Sequence, residues 1–161
     1  METINLYGAK GGVGTTTVAA ILATTAWGTL ESPDVGAFGL VPDGSNLLHI
    51  GSESVHVIDH GVLTADNRPA ADGGAILVTT ACYIALRRVM AVGTAGFRGI
   101  ILLREDGRAL TEADVSDVLD LPVLVTLHRD PAIARAVDSG LLTARLPREA
   151  ARMGAEAMVG A

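Results

Sequence analysis

Short apolar runs alternate along the chain with segments whose apolar residues recur at helical spacing. Apolar runs of about four to eight residues between turn residues are typical of buried strands, and helical spacing is typical of amphipathic helices. The pattern predicts strands at 3–8, 35–41, 55–59, 75–80, 98–104 and 122–126, and helices at 15–28, 83–93, 112–120 and 131–139. Strands that alternate with helices predict an α/β fold, with a doubly wound, mostly parallel sheet and helices on both faces.

Polar residues mark several helix boundaries. Thr111 with Asp114 has the pattern of a helix cap, and Asp130 followed by Pro131 is typical of a helix start. Residues 148–159 are expected to form a further helix that packs on the fold, because its apolar side is made of smaller residues than a membrane anchor carries. At this length we expect residues 1–161 to form a single domain.

The loop between the first predicted strand and helix is rich in glycine and contains the only lysine of the chain. It reads Ala9-Lys10-Gly11-Gly12-Val13-Gly14-Thr15-Thr16-Thr17. A Gly-rich turn before a helix directs backbone N–H groups into one hollow, and the helix dipole favours an anion there. The sequence therefore predicts a phosphate-binding loop formed by Lys10, Gly11, Gly12, Val13, Gly14, Thr15, Thr16 and Thr17.

This loop resembles the deviant Walker A motif, K-G-G-x-G-K-[ST], of the ParA/MinD superfamily of partition and positioning ATPases, which also has a pilus-associated branch. Lys10 to Gly14 match the motif, Thr15 replaces its second lysine, and Thr16 and Thr17 follow. The resemblance implies a P-loop NTPase-like fold that binds ATP (or ADP) with Mg²⁺. It also implies a homodimer in which Lys10, as a catalytic residue, reaches the phosphates bound by the partner chain.

The resemblance extends to the second predicted strand, which in the superfamily usually ends D-x-D-P-Q-G-N. Gly39 and Val41 stand in place of the two aspartates that position the metal and the attacking water. Asp43 is the nearest acidic residue, and it is a candidate catalytic residue. The competing interpretation is a turn residue in Pro42-Asp43-Gly44, where aspartate is favoured for its local hydrogen bonds.

Asp59 follows an apolar strand and resembles the Walker B aspartate of the superfamily. The resemblance makes Thr16 and Asp59 the candidate metal-binding residues. The alternative is that Asp59 caps the turn after its strand, and the sequence leaves both interpretations open. His56 and His60 flank Asp59, but no further cysteine or histidine lies nearby in the sequence to complete a separate metal site.

Composition and charge argue against several classes of protein. The net charge of −6 and a sequence pI near 5.1 argue against tight direct binding to nucleic acid. No apolar run is long enough to span a membrane, and the first residues do not resemble a signal peptide, so we expect no membrane insertion. Cys82 is the only cysteine and is expected to be a small buried residue, which excludes an internal disulfide and fits a cytoplasmic protein.

These observations lead to the hypothesis of a ParA/MinD-like nucleotide-binding protein that partitions or positions a cargo, such as a plasmid, phage, chromosome or pilus machinery. The loss of charged residues at Thr15, Gly39 and Val41 predicts weak or absent ATP hydrolysis. The expected partners are a second copy of the chain and a cargo or adaptor protein. One alternative is a non-enzymatic scaffold that kept the fold and lost nucleotide binding. A small-molecule kinase or synthetase is a further alternative, but such enzymes keep the lysine that Thr15 replaces.

Overall fold

The computed structural model describes residues 1–38 and 44–159. Within these residues the chain forms seven strands and five α-helices. The strands are β1 (Glu2–Gly8), β2 (Thr29–Glu31), β3 (Leu47–His49), β4 (Val55–Val62), β5 (Ala75–Thr80), β6 (Phe97–Arg104) and β7 (Val123–His128). The helices are α1 (Thr15–Thr25), α2 (Tyr83–Val92), α3 (Glu112–Leu119), α4 (Pro131–Asp138) and α5 (Arg148–Val159). None of the helices in these ranges is long and apolar enough to cross a membrane.

The strands form one sheet in the order β3-β2-β4-β1-β5-β6-β7. β5 is parallel to β1 and to β6, β6 is parallel to β7, and β2 is parallel to β4. β3 lies at the edge of the sheet and runs antiparallel to β2. The predicted α/β class with a mostly parallel sheet is confirmed. Its Val, Leu and Ile content fits strands that are covered on both sides.

The chain divides into two compact units. The first comprises Met1–Ile4, Thr16–Asp59 and the chain from Asp130 onward, and the second comprises Asn5–Thr15 and His60–Arg129. In the first unit, α1 is buried almost all round, because every side chain from Val18 to Ala23 is buried. The second unit has a core of aliphatic and aromatic side chains from its strands and from α2 and α3, including Tyr7, Leu77, Leu86, Leu102 and Val115.

The prediction of a strand at 35–41 is wrong. The second strand lies earlier, at Thr29–Glu31, while Val35–Ala37 forms a 3₁₀ helix and residues 39–43 lie outside the described residues. Gly28 allows this early start, because a Cβ at that position would collide with the carbonyl of Val55 as the chain leaves α1. Val35 is buried although it is not in a strand, so the apolar pattern of this segment reflects burial in a helical turn.

Two predicted helix starts have the expected caps. Thr111 Oγ1 accepts a hydrogen bond from the Asp114 amide at 3.2 Å, and the Asp114 carboxylate accepts one from the Thr111 amide at 2.7 Å. Asp130 Oδ1 accepts a hydrogen bond from the Ala132 amide at 2.8 Å, with Pro131 at the first helical position. The reciprocal bonds at Thr111 and the single bond at Asp130 satisfy amides that a helix start otherwise leaves without a partner.

The predicted C-terminal helix, α5, packs against α1 within the first unit. Gly154 lies so close to Thr25 that a Cβ at this position would collide with the Thr25 hydroxyl, and Ile21 is its other neighbour on α1. Ala150 and Met153 of α5 are also buried. The small side chains therefore allow close helix packing, which confirms that this helix packs on the fold.

Candidate functional site

The glycine loop follows β1 and is held at both ends. The Ala9 amide donates to the Val78 carbonyl of β5 at 2.9 Å, and the Val13 side chain is buried. Gly12 and Gly14 have φ values of +77° and +93°, which favour glycine. A Cβ at Gly14 would also lie 2.7 Å from the Leu103 side chain of β6, whereas a Cβ at Gly12 would meet nothing within 4 Å. The loop is therefore anchored at its base and open above Gly12.

Thr15, which replaces the second lysine of the motif, points into the protein. Its side chain is only 8% exposed, and a Cβ on Gly8 would collide with the Thr15 hydroxyl. Glycine at the end of β1 is thus required for the buried position of Thr15. This arrangement puts no cation at a position where a lysine side chain normally contacts phosphates.

Thr16, Ser32 and Asp59 form a hydrogen-bonded cluster in the first unit. Asp59, in β4, is 5% exposed, and its Oδ2 accepts hydrogen bonds from Thr16 Oγ1 at 2.7 Å and from Ser32 Oγ at 3.0 Å. Ser32 follows β2, and its Oγ in turn accepts the Asp34 amide at 3.2 Å. β2 and β4 are paired in parallel with Glu31 opposite Ile58, so Ser32, which follows β2, lies level with Asp59 in the middle of β4, which continues to Val62.

The cluster has the donor chemistry of a magnesium site. Mg²⁺ prefers hard oxygen ligands, and many P-loop proteins hold it with a loop hydroxyl and an aspartate at the end of a strand. Because the Thr16 hydroxyl donates its proton to Asp59, its oxygen lone pairs can face a cation. Thr16 and Asp59 therefore fit a bound Mg²⁺. No group of three or more metal-ligating His, Cys, Asp or Glu side chains occurs within residues 1–38 and 44–159.

Lys10 is partly exposed and bends back over its own loop. Its Nζ donates to the Gly11 carbonyl at a long distance of 3.4 Å. The Lys10 charge also acts on Glu105, whose pKa is lowered first by its hydrogen bond with Arg108, and then by the positive charges of Arg129 and Lys10. The lysine is thus placed in the second unit among charged residues that follow β6 and β7.

Cys82 is not the fully buried residue that the sequence analysis expects. It is partly exposed and lies at the N-terminus of α2. Hydrogen bonds from the Ala85 and Ile84 amides lower the pKa of its thiol, and the charges of Lys10 and Arg108 lower it further. Cys82 also packs against the core cluster of the second unit, so it is partly buried rather than fully buried.

The remaining candidates have local partners or lie outside the described residues. Asp43, a predicted catalytic residue, lies among residues 39–43, as do Gly39 and Val41. His56 contacts Thr29 Oγ1 at 2.6 Å and a Glu31 carboxylate oxygen at 3.1 Å. His60 contacts Asn5 Oδ1 at 2.8 Å, and its ring stacks on Tyr7. The two histidines therefore point to different neighbours.

Ser32 is the functional candidate that sequence reasoning missed. The predicted strand at 35–41 begins after this residue, although Gly28 is a helix-stop signal and the Ser32-Pro33 pair is a turn signal. If D-x-D-P-Q-G-N is aligned on Pro33 instead, Ser32 takes the place of the second aspartate. The hydroxyl of Ser32 then lies beside Asp59 where the pattern has a carboxylate.

The parallel sheet and the loop at the end of β1 define the class as an α/β fold of the P-loop NTPase type. Solved structures with this fold include a ParA family ATPase from Chlorobium tepidum, which is 15% identical, with 95% of each chain covered and a TM-score of 0.63. A chain of the MinC:MinD cell division protein complex from Aquifex aeolicus is 14% identical over 100% of this chain and 97% of that chain, with a TM-score of 0.71. MinD from the same organism is 13% identical, with 100% of this chain and 98% of that chain covered and a TM-score of 0.70.

These similarities confirm the ParA/MinD-type fold that the loop resemblance implies. Comparison of the sequence with protein-family models and with curated proteins finds no match.

Proposed function

We propose that this chain is a nucleotide-binding protein of the ParA/MinD type that partitions or positions a cargo in the cytoplasm, with weak or absent ATP hydrolysis. The observation that carries the proposal is the hydrogen bond of 2.7 Å between Thr16, in the first turn of α1, and the buried Asp59. A hydroxyl beside the loop that is held by a buried aspartate of the neighbouring β4 has no evident use in a plain Gly-rich turn. In phosphoryl-transfer proteins the same pair helps to hold Mg²⁺.

In this proposal the loop amides from Gly11 to Thr17 bind the phosphates of ATP or ADP. Thr16 and Asp59 hold Mg²⁺, which supplies charge neutralisation at the phosphates when it is bound. The open space above Gly12 leaves room for phosphate oxygens to approach the backbone. Lys10 supplies the positive charge, either to its own loop or across a homodimer.

Slow hydrolysis is proposed because two charged groups of the motif are replaced. Thr15 is turned inward, and an uncharged Ser32 lies beside Asp59. A charge-assisted contact contributes about 1.5–3 kcal/mol, so the absence of the lysine weakens nucleotide affinity by about one to two orders of magnitude. We expect turnover well below the range of about 1–100 s⁻¹ that is usual for kinases.

Titration of labelled ATP and ADP, with and without Mg²⁺, tests the proposal. Thr16→Val keeps the shape of the side chain but removes the hydroxyl, so it should abolish the effect of Mg²⁺ on affinity. Thr16→Ser is the matched control, because it keeps the hydroxyl that Asp59 accepts, and it should bind nearly as well as the wild type. Equal binding by the Val and Ser variants would contradict the assignment of Thr16.

The second candidate function is a scaffold that does not bind nucleotide. It is favoured by one observation, namely that Lys10 is bonded to its own loop while Thr15 is buried, so that the hollow presents little positive charge. Wild-type protein that binds neither nucleotide in the titration supports this second function. The MinC:MinD complex shows that a protein of this fold assembles with a partner protein, and both candidate functions include a cargo or adaptor protein as the partner.

A further inference from the structure

The outward side of α2 is apolar and basic. Tyr83, Ile84 and Met90 are large apolar residues that are 66%, 59% and 57% exposed. A shallow groove of about 350 Å³ runs along this side and is lined by Tyr83, Ile84, Arg87, Arg88 and Ala91. The only charged residues of α2 are Arg87 and Arg88. Exposed apolar surface that is rimmed by charge is typical of an interaction surface.

The two arginines of α2 are held differently. The Arg87 guanidinium lies 5.8 Å from the centre of the Tyr83 ring and donates to the Tyr83 hydroxyl at 3.1 Å. Arg88 has no ion-pair partner within the described ranges and is exposed. Tyr83 therefore orders Arg87 along the helix, and Arg88 remains able to pair with an acid on another molecule.

The outward side of α3 has the opposite charge. Its charged residues are all acidic, and Asp114, Asp117 and Val118 share one side of the helix because they are three and four residues apart. Val118 is 46% exposed and provides an apolar centre between the acids. α3 contains no basic residue.

The two helices present these sides in the same direction. Leu86 and Val89 of α2 and Val115 and Leu119 of α3 belong to one buried cluster in the second unit, and the helices contact each other. Because their inner sides share one core, their outer sides form a continuous surface. We call this surface, from Tyr83 and Arg88 on α2 to Asp117 and Val118 on α3, the α2–α3 face.

We propose that the α2–α3 face binds a second copy of the chain about a twofold axis, with α2 of one copy against α3 of the other. A twofold interface places the same patch on both copies, so a patch with one basic and one acidic half is complementary to itself. The apolar residues of each half are then covered by those of the partner. The chain as a whole carries a net charge of −6, so opposite charges that meet at the contact offset part of the repulsion between two copies.

This association is separate from the nucleotide-dependent dimer of the proposed function. It requires neither Lys10 nor an anion between the copies, because the pairing charges come from α2 and α3. Its dissociation constant should therefore be the same with and without ATP and Mg²⁺. A chain that does not associate through this face can still bind nucleotide. A chain that does not bind nucleotide can still associate through this face.

Charge reversal on each helix gives a sharp test by sedimentation of the full chain over a range of concentrations. Arg88→Glu and Asp117→Arg should each weaken self-association at least tenfold, since a twofold interface contains each substitution twice. Mixing the two variants should restore association, because the reversed residues then meet each other in one contact and the native residues meet in the other. The double variant Arg88→Glu/Asp117→Arg should associate with itself again.

Two controls change charge equally at exposed sites of the first unit, which contributes no residue to this face. Arg148→Glu at the start of α5 and Asp138→Arg at the end of α4 should leave association unchanged. Circular dichroism of every variant distinguishes loss of association from loss of folding, and recovery by mixing makes the same distinction. A wild-type chain that stays monomeric, or single variants that remain apart when mixed, would overturn the proposal. In that case the face is open to a different protein.

Discussion

Thr15 is the residue at which the loop departs most from the motif it resembles. Restoring a lysine by Thr15→Lys should tighten ATP binding by about one to two orders of magnitude, because a charge-assisted contact contributes about 1.5–3 kcal/mol. The longer side chain must leave the buried position of the threonine to reach the phosphates. Affinity is measured by titration of labelled ATP with Mg²⁺.

Thr15→Met is the matched control for this substitution, because it has similar length and no charge. It should leave affinity unchanged or weaker. If Thr15→Lys behaves like Thr15→Met, the loop does not have the phosphate-binding geometry, and the scaffold function gains support.

Thr25 is a residue whose side chain lacks a hydrogen bond. Its hydroxyl is buried against Gly154 of α5 and has no partner in the described part of the chain. A buried unpaired hydroxyl costs about 1–3 kcal/mol. Thr25→Val, which replaces the hydroxyl by a methyl group, should therefore raise the free energy of unfolding by about 1 kcal/mol, as measured by urea denaturation.

The adjacent Thr24 provides the control for this stability experiment. Its hydroxyl donates to the Ala20 carbonyl at 2.7 Å. Thr24→Val removes this hydrogen bond, so it should not raise the stability of the protein. Equal effects at the two positions would show that the change reflects helix propensity rather than the unpaired hydroxyl.

Residue-level prediction succeeded where a residue's chemistry depends on its immediate neighbours. The loop glycines at Gly12 and Gly14 have the positive φ angles that a turn between strand and helix requires. The bond between Thr16 and Asp59 agrees with the proposed pairing, but it joins residues 43 apart, and only the resemblance suggested it. Ser32 has a local turn signal in Ser32-Pro33, but its contact with Asp59 depends on where β2 joins the sheet.

At the level of elements, the cap of α3 should make the stability of the protein depend on pH. Hydrogen bonds from Thr111, first from its amide and then from its hydroxyl, lower the pKa of Asp114 below its ordinary value of 3.8. A carboxyl whose pKa is lower in the folded state contributes stability above its unfolded pKa and loses it as pH falls through the folded pKa. Asp114→Asn should therefore destabilise at neutral pH, and the difference should shrink below about pH 4.

Urea denaturation from neutral pH to about pH 2 measures this difference. Asp72→Asn, in the exposed loop before β5, is the control, because this residue has no part in the cap or in the α2–α3 face, and its effect should vary less with pH. A difference between wild type and Asp114→Asn that stays constant over the whole range would contradict the capping role of the ionised carboxylate.

Whole elements were predictable where they are long and bounded by polar signals. The caps at Thr111 and Asp130 identified the starts of α3 and α4 from the sequence. β2 and β3 have only three residues each, which is too few to show the pattern of apolar residues that identifies a strand. The position of β2 depends on the close approach of Gly28 to Val55, which is a contact between distant residues.

At the scale of the whole molecule, nucleotide should change the state of association. Lys10 is the only lysine, and a compact ammonium on a flexible stem fits a crowded phosphate site better than a planar guanidinium. In a twofold dimer through the loops, the two Lys10 charges repel unless an anion lies between them. Mg²⁺-ATP should therefore promote dimers of the wild type but not of Lys10→Ala, as measured by light scattering.

This nucleotide-dependent dimer is distinguishable from association through the α2–α3 face. Arg88→Glu should leave the response to Mg²⁺-ATP in place, whereas Lys10→Ala should leave association without nucleotide in place. A wild type whose light scattering is the same with and without Mg²⁺-ATP would contradict a role for Lys10 across the interface.

The solitary and partly exposed amine of Lys10 has a consequence for chemical labelling. Since the chain has no other lysine, an amine-reactive ester can modify only this side chain and the N-terminal amine. Within residues 1–38 and 44–159 the Nζ atom has only a long bond to the Gly11 carbonyl, so the amine should react readily when the loop is empty. Phosphates bound in the hollow would cover the amine, and the rate of acylation at this single position, followed by mass spectrometry, would then report occupancy of the loop directly.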